Sequence, residues 1–469
     1  MSATGSFGAS VRRLMPLAWP VFVGQISVLA FGTVDTLLVA RHSSLDLAAL
    51  AIGAAAYITI FIGFMGVVLA LAPIVGQLFG AHQHAAAGRQ VHQAVWIALA
   101  FSLLGSTLLA FPQPFLALSQ ATPEIETRVR GYLLALAFSL PASLLFTVYR
   151  GFNTAVSRPK AVMALQLGGL ALKVPLSVLL VFGLPALGVP ELGVVGCGIA
   201  TCIAMWAQCL AAFVVLRRDD FYAPFALGGR RLDAPDVRAL AAQLRLGIPM
   251  GLAIVIEVTG FTFMAFFIAR LGTTAVAGHQ IAANLAALLF MMSMAIGNAA
   301  STLVAQSIGA RDEPDARRLG WHGLALGIGV ATLAGGAVFL LRAPIVALYS
   351  GDPAVQAAAL SLVAWLFLVH VGDAAQSVAA SVLRAWRIAT VPLLIYAVAI
   401  WGVGLGGGYW LAFGASGTAP RAMQGAPGFW IAAAASLVLT ALALVAFLAW
   451  MLRQQHHGKP PAAPQRRAH

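Results

Sequence analysis

Long runs of apolar residues alternate with short polar segments along almost the whole chain. Each run is longer than the roughly 20 residues that an α-helix needs to cross the hydrocarbon of a bilayer. The first run exceeds the apolar core of a cleavable signal peptide, so we interpret it as an uncleaved span. The pattern predicts twelve spans, at about 14–40, 47–74, 91–113, 130–152, 160–183, 193–216, 245–269, 275–304, 319–341, 357–383, 391–413 and 428–452.

These runs indicate helices rather than the strands of a membrane barrel. Barrel strands alternate apolar and polar residues over roughly ten positions, and a lone strand in lipid would leave its backbone amides without partners. Of the 469 residues, 61% are hydrophobic and 9% are charged, whereas about 25% are charged in a typical soluble domain. This composition excludes an ordinary cytosolic enzyme and predicts an all-α polytopic membrane protein.

The positive charge of the chain indicates its topology. The formal net charge is +13, but the basic residues are scattered between apolar runs, so we expect no nucleic-acid partner. If successive loops alternate sides, most of the 28 Lys and Arg residues share the side of the N-terminus, which the positive-inside rule assigns to the cytoplasm. We therefore expect both termini to be cytoplasmic in the cell inner (plasma) membrane. Lys173 lies inside a span, and the opposite side has only Arg41, Arg128, Arg130, Arg270, Arg342 and Arg421.

An internal repeat relates the two halves of the chain. Identical residues recur 229 positions apart, and this register holds without an insertion or deletion over more than sixty residues. The pairs include Pro20 and Pro249, Arg41 and Arg270, Gln77 and Gln306, and Gly80 and Gly309. Each half contains an even number of spans, so both halves enter the membrane from the same side. We expect parallel repeats with the substrate cleft at their interface.

The longest polar interruption separates six spans from six. We therefore divide the chain into an N-terminal lobe at 1–216, a cytoplasmic linker at 217–244 and a C-terminal lobe at 245–455. Residues 456–469, which are rich in Pro, His and Arg, are expected to form a disordered cytoplasmic tail.

Three acidic residues, Asp35, Glu257 and Asp373, lie well inside predicted spans. A carboxylate at this depth costs a few kcal/mol, so such residues usually face a bundle interior or a wet cavity and serve ion or substrate movement. Glu257 and Asp373 lie at similar depths from the predicted cytoplasmic side, about 18 and 15 Å at 1.5 Å per residue. These two are expected to meet, either holding a cation between them or sharing protons, whereas Asp35 belongs to a separate site.

Two other ionisable residues have two interpretations each. His370 precedes Asp373 by one helical turn, so it either relays protons or is a buried, hydrogen-bonded histidine. Lys173 is the single basic residue well inside a predicted span. It either pairs with Asp35 or extends its ammonium to the membrane interface.

Soft apolar side chains cluster on the eighth predicted span, at Phe290, Met291, Met292 and Met294. Such a cluster is able to accommodate flat organic cations through adaptable packing and cation–π attraction. Ordinary helix packing is the alternative use of the same residues.

The motifs of the chain resemble those of the multidrug and toxic compound extrusion (MATE) family, in its NorM-type branch, over nearly all of residues 10–450. The matching segments are Val34-Asp35-Thr36, the run 71–77 with Gly80-Ala81, Asn153, the run 190–201, Glu257-Val258-Thr259, Gly278-His279-Gln280, Asp373-Ala374 with Gln376, and Leu383-Arg384.

The resemblance implies two six-helix lobes around a V-shaped central cavity, and export of cationic drugs in exchange for Na⁺ or H⁺. It implies that Glu257 and Asp373 bind the coupling cation, as Na⁺ ligands if the protein is sodium-coupled, and that Asp35 is the acid of the N-terminal lobe. Phe290 is expected near the C-terminal cation site, and Asn153 and Gln280 are further cavity candidates. We expect a monomeric transporter with no catalytic residues, whose partners are small organic cations and the lipid bilayer, with no cofactor other than transported Na⁺ or H⁺.

The chain departs from the family pattern on the fifth span, where Lys173 and Ser177 stand at positions that commonly hold Asn. The hydrogen-bond network around Asp35 is therefore expected to differ.

Three other functions are less consistent with these residues. A lipid-linked oligosaccharide flippase, the alternative transport function, should prefer a basic cavity for its pyrophosphate, whereas the spans hold three acids and one Lys. An intramembrane aspartyl protease would need a Gly-x-Gly-Asp motif, but His370 occupies the first Gly position before Gly372-Asp373. A channel fits the repeat and the midplane acids less well than alternating access does.

Overall fold

The computed structural model of the chain describes residues 5–119, 122–227, 232–414, 420 and 423–456, and almost all of them are helical. The helices of the first half are α1 (Phe7–His42), α2 (Ser44–Val68), α3 (Leu71–Gly80), α4 (His84–Ala110), α5 (Gln113–Ser119), α6 (Pro123–Ala155), α7 (Pro159–Phe182) and α8 (Gly193–Arg218). Those of the second half are α9 (Val237–Ala269), α10 (Thr273–Gly309), α11 (Glu313–Leu340), α12 (Arg342–Tyr349), α13 (Pro353–Ala385), α14 (Thr390–Tyr396), α15 (Gly407–Tyr409) and α16 (Ala426–His456).

Within the part of the chain that the structure describes, twelve helical segments are long and apolar enough to cross a membrane. They correspond one to one to the predicted spans, so the prediction of an all-α polytopic membrane protein with twelve spans is confirmed. Several helices extend beyond the predicted bounds. The largest extension is at α9, which begins at Val237, because a helix can continue into the polar interface after its apolar stretch ends.

Two of the predicted spans are interrupted. Leu69 and Ala70 separate α2 from α3, and Pro73 explains the break, because it has no N–H to donate to the carbonyl of Leu69 and its ring would clash with that carbonyl. The eleventh span widens into π-helical turns at Ala397–Gly406 and Trp410–Gly414. This stretch is rich in glycine, which lowers the preference for a regular α-helix.

The internal repeat is visible in the backbone. Helix α3 ends at Gly80 and α10 at Gly309, and α4 and α11 begin at equivalent positions. Between them, His82 and Arg311 adopt left-handed conformations, with φ of 57° and 60°. Left-handed backbone is uncommon for residues other than glycine, so its recurrence at the repeat spacing of 229 shows that both halves use the same tight turn.

The described residues form two compact units, each with its own apolar core. The N-terminal unit comprises Pro16–Val255 and Gly309–Arg311. The C-terminal unit comprises the described parts of Met1–Met15, Ile256–Ile308 and Asp312–His469. Large side chains such as Leu71, Leu133 and Phe152 are fully buried in the first core, and Phe429, Trp430 and Leu362 in the second.

Glycines bring the first part of α9 against α2 within the N-terminal unit. A Cβ atom on Gly66 would lie 2.6 Å from the Cα atom of Gly251, and one on Gly247 would lie 2.5 Å from the carbonyl oxygen of Val67. Gly247 and Gly251 are four residues apart on one helix face, a spacing that lets membrane helices pack backbone to backbone. The contact therefore depends on the absence of side chains at these positions.

Parts of the predicted linker are ordered against α4 and α6. A 3₁₀ turn at Asp220–Phe225 buries Tyr222 and Phe225. Further on, Gln93 donates to the carbonyl of Ala234 at 3.0 Å, and Trp96 donates to that of Asp233 at 2.9 Å. The predicted tail begins at the last residue of α16, His456, and residues 457–469 lie outside the described residues.

Candidate functional site

Glu257 on α9 and Asp373 on α13 meet in the C-terminal unit through the side-chain amide of Gln376. The amide nitrogen of Gln376 donates to Oε1 of Glu257 at 3.1 Å and to Oδ1 of Asp373 at 3.0 Å. Both N–H bonds of one amide are therefore used by two carboxylates. The two acids that the sequence analysis grouped by depth thus lie within one hydrogen-bonded cluster, one from each of two helices.

The opposite end of the same amide contacts a third helix. The hydroxyl of Tyr396 on α14 donates to Oε1 of Gln376, so the amide is held at both ends. Gln376 is fully buried and Asp373 and Tyr396 are nearly so, with exposed fractions of 0%, 8% and 5%. Because both amide protons and the amide oxygen have partners, the orientation of the amide is tied to the two carboxylates and to the Tyr396 hydroxyl.

This arrangement is suited to binding a small cation or protons. Two carboxylates that are close together in a buried place repel one another unless a positive charge or a proton compensates them. The carboxylate, amide and hydroxyl oxygens of the cluster are hard ligands of the kind that alkali and alkaline-earth ions prefer. Within the described residues, no group of three or more His, Cys, Asp and Glu side chains is placed to hold a metal ion, so a bound ion would need oxygen ligands besides the two carboxylates.

The third intramembrane acid lies in the N-terminal unit beside the intramembrane lysine. Nζ of Lys173 on α7 is 2.6 Å from Oδ2 of Asp35 on α1, and the side chains are exposed by only 1% and 8%. Of the two interpretations of Lys173, the ion pair is therefore the one that the structure contains. The ammonium also lies 3.3 Å from the carbonyl oxygen of Phe31 and 4.8 Å from the centre of the Phe31 ring.

Two polar candidates have surroundings of their own, described by their nearest contacts. His370 is buried against α11, where a Cβ atom on Gly335 would lie 3.4 Å from its ring, and its Nε2 has no hydrogen-bond partner among the described residues. Asn153 accepts a hydrogen bond from the Tyr222 hydroxyl at 2.6 Å and donates to the carbonyl of Tyr149. Asn153 thus joins the turn after α8 to α6.

The remaining candidates lie on α10. Gln280 is exposed and its amide is 3.5 Å from Oδ1 of Asn284. The aromatic and methionine side chains are partly buried, and Met292 packs against the apolar core of the C-terminal unit. The assignment of these α10 side chains to a substrate cavity, at Phe290, Met291, Met292 and Met294, therefore stays a prediction.

Two members of the cluster were not among the predicted site residues. Gln376 could have been identified from the sequence, because it belongs to a segment that matches the MATE family. It also lies three residues after Asp373, on the same helix face. Tyr396 gave a weaker signal, because a single tyrosine in an apolar span resembles ordinary packing.

The sequence profile of the MatE family matches residues 20–179 and 249–410, one stretch in each half. The chain belongs to the MATE family. A probable multidrug resistance protein NorM of Aromatoleum aromaticum is 43% identical to this MATE chain over 458 residues, which cover 97% of the chain and 96% of the relative. The multidrug resistance protein PmpM of Pseudomonas aeruginosa is 34% identical over 405 residues, covering 86% and 84%.

Solved MATE structures share the fold. The Vibrio cholerae MATE transporter VcmN in its bent form matches with a TM-score of 0.84 at 18% identity, covering 96% of this chain and 99% of that one. The eukaryotic MATE transporter AtDTX14 matches with a TM-score of 0.83 at 19% identity, covering the same shares. This MATE chain is accordingly a NorM-type, multi-pass membrane transporter and not an enzyme.

Proposed function

We propose that this MATE protein is an antiporter of the cell inner membrane, with both termini in the cytoplasm, that exports organic cations in exchange for Na⁺ or H⁺. The names of the relatives support multidrug export. The observation that carries cation coupling is the cluster in which Glu257 and Asp373 share the amide of Gln376. Buried carboxylates in a transporter usually mark the path of an ion or of a charged substrate.

The coupling follows because the coupling cation and the cationic substrate compete for the negative charge of the same carboxylates. A cation or proton at Glu257 and Asp373 neutralises the carboxylates and lowers their attraction for a cationic substrate. A substrate bound nearby lowers the affinity for the coupling cation by the same factor, because linkage is reciprocal. Each ligand then shifts the population towards the conformation that it prefers, so the inward gradient of one drives export of the other by alternating access.

The direct test is efflux of ethidium, a fluorescent organic cation, from proteoliposomes that contain the purified protein. A pH gradient and a Na⁺ gradient are imposed separately. Efflux that only the Na⁺ gradient drives would assign the two carboxylates to Na⁺ binding. Efflux that only the pH gradient drives would make them a proton-sharing pair. Transport under neither gradient would contradict cation coupling.

Substitutions of the two carboxylates test whether they bind the coupling cation. Asp373→Asn and Glu257→Gln should each abolish gradient-driven efflux while expression is largely retained. Asp220→Asn is the matched control, because Asp220 is an exposed acid in the 3₁₀ turn after α8. Full gradient-driven efflux in Asp373→Asn would contradict the assignment.

A further inference from the structure

The two buried acidic sites of the protein differ in what compensates their charge. Glu257 and Asp373 are bridged by a neutral amide. Asp35 is compensated by an ammonium that is covalently part of the protein, 2.6 Å away. Lys173 ranks among the largest fully buried side chains of the chain, so its charge lies inside the N-terminal unit and not at its surface.

The contacts of Lys173 hold the ammonium in place. An ammonium has three protons, and the groups around Nζ are the carboxylate of Asp35, the carbonyl oxygen of Phe31 and the face of the Phe31 ring. Each is an acceptor or a negative surface, and all three belong to Phe31 and Asp35, one turn apart on α1. Moving the ammonium away would leave a buried carboxylate without its counter-charge, which is strongly unfavourable.

The net charge of this pair decides what it can attract. If Lys173 keeps its proton, the pair contains one positive and one negative charge. If the proton passes along the 2.6 Å contact to Asp35, both groups become neutral. The sum is zero in either state, so the pair offers an entering cation no net attraction. The carboxylates of Glu257 and Asp373 carry up to two negative charges beside neutral Gln376, and the guanidinium of Arg384, which interacts electrostatically with Glu257, compensates only one of them.

We propose that the Lys173 ammonium is a tethered cation that permanently fills the cation position at Asp35, so that the coupling cations are carried by Glu257 and Asp373 alone. This inference rests on the proposed cation coupling. It assigns Lys173 as the residue that sets the number of coupling cations per substrate, and it removes Asp35 from the groups that load and release them.

The first experiment leaves the pair intact. In a Glu257→Gln/Asp373→Asn variant that is folded in detergent, binding of ethidium should neither take up nor release protons, and Na⁺ should not change the ethidium affinity. A pH-indicator dye and a fluorescence titration provide these measurements. Residual proton exchange, or a more than threefold effect of Na⁺ on affinity, would overturn the inference, because Asp35 would then be binding coupling cations.

The second experiment removes the pair. Asp35→Asn leaves the buried Lys173 ammonium unpaired and should reduce gradient-driven efflux at least tenfold, whereas Lys173→Met frees the cation position at Asp35 and should raise the number of coupling cations per substrate by one. The double variant Asp35→Asn/Lys173→Met leaves no charge. It should keep the wild-type number of coupling cations per substrate, as determined from the gradient at which ethidium flux reverses. A folded double variant with one cation fewer, or with no coupling, would overturn the inference.

These outcomes are distinguishable from failure of the proposed function. If the wild-type protein shows no drive by either gradient, cation coupling itself fails. If the wild-type protein is coupled and the double variant is not, coupling stands and only the tethered-cation assignment fails. Arg130→Met is the matched control for Lys173→Met, because Arg130 is an exposed cation on α6 whose ion pair with Glu126 is long, at 3.9 Å.

Discussion

The Tyr396 hydroxyl donates a hydrogen bond to Oε1 of Gln376, while the nitrogen of the same amide donates to two carboxylates. This contact joins the glycine-rich eleventh span to the proposed coupling site. A cation or proton arriving between Glu257 and Asp373 would compete with the amide protons for the same oxygens. The amide orientation, and with it the contact to α14, is therefore sensitive to the occupancy of the pair.

The Tyr396 contact predicts a mild effect on cation affinity. Tyr396→Phe removes one hydrogen bond, which contributes about 0.5–1.5 kcal/mol to holding the amide that competes with the cation for the carboxylate oxygens, so the apparent affinity for the coupling cation should rise by about two- to tenfold. The maximal efflux rate should be largely retained. Initial ethidium efflux rates at varied Na⁺ or pH give both quantities. Tyr409→Phe is the control, since Tyr409 is an exposed tyrosine of the same span, and an equal change in affinity in both variants would contradict a specific role for Tyr396.

Gln376 should contribute to stability as well as to coupling. Gln376→Leu leaves two carboxylates without their shared donor, which should lower the free energy of unfolding by about 1–3 kcal/mol and abolish gradient-driven efflux. The apparent melting temperature in detergent and the proteoliposome assay measure these effects. Gln280→Leu is the control, because Gln280 is exposed on α10. A Gln376→Leu variant with wild-type melting and efflux would show that the bridge is unimportant.

The backbone contact between α2 and α9 predicts that these glycines tolerate no side chain. Gly66→Ala places a methyl group 2.6 Å from the Cα atom of Gly251, and such overpacking costs about 1–3 kcal/mol. Gly329→Ala on α11 is the matched control, because a Cβ atom there meets no atom within 4 Å. It should stabilise the helix by up to about 1 kcal/mol. Opposite shifts in apparent melting temperature are expected, and a stabilised Gly66→Ala variant would contradict the predicted close packing.

The turn after α8 predicts a pH-dependent contribution to stability. The N–H of Phe221 and the guanidinium of Arg158 both donate to Asp219, at 3.0 and 2.5 Å, and these bonds lower the pKa of the Asp219 carboxyl below its ordinary value. A lowered pKa in the folded state means that the contribution is present above the unfolded-state pKa, about 3.9, and is lost as the pH falls through the folded-state pKa.

The measurement for Asp219 is the difference in apparent melting temperature between the wild-type protein and Asp219→Asn as a function of pH. The difference should favour the wild-type protein at neutral pH and disappear in strong acid. Asp220→Asn, at the exposed neighbouring acid, should show a smaller difference. If the difference grows as the pH falls, the assigned direction of the pKa change is wrong.

The sequence by itself determined the twelve spans and the residues that are costly to bury. Crossing a bilayer requires some 20 apolar residues, and this requirement can be counted along the chain without any tertiary information. Asp35, Glu257 and Asp373 were identified for the same reason, because a carboxylate inside such a run is costly. The register of the repeat followed from residue identities, and the equivalent left-handed turns at His82 and Arg311 confirm it.

Only the tertiary structure decided the partners of these residues. Lys173 and Asp35 are 138 positions apart, and the sequence allowed either an ion pair or an ammonium at the interface, because either a counter-charge or interfacial water compensates the ammonium. Which one forms depends on how α1 packs against α7. The bridge made by Gln376 and the contact from Tyr396 likewise require three helices to be in contact. Hydropathy specifies where a helix crosses the membrane, but the partners of its polar side chains are set by the rotation and neighbours of each helix, which depend on packing across the whole unit.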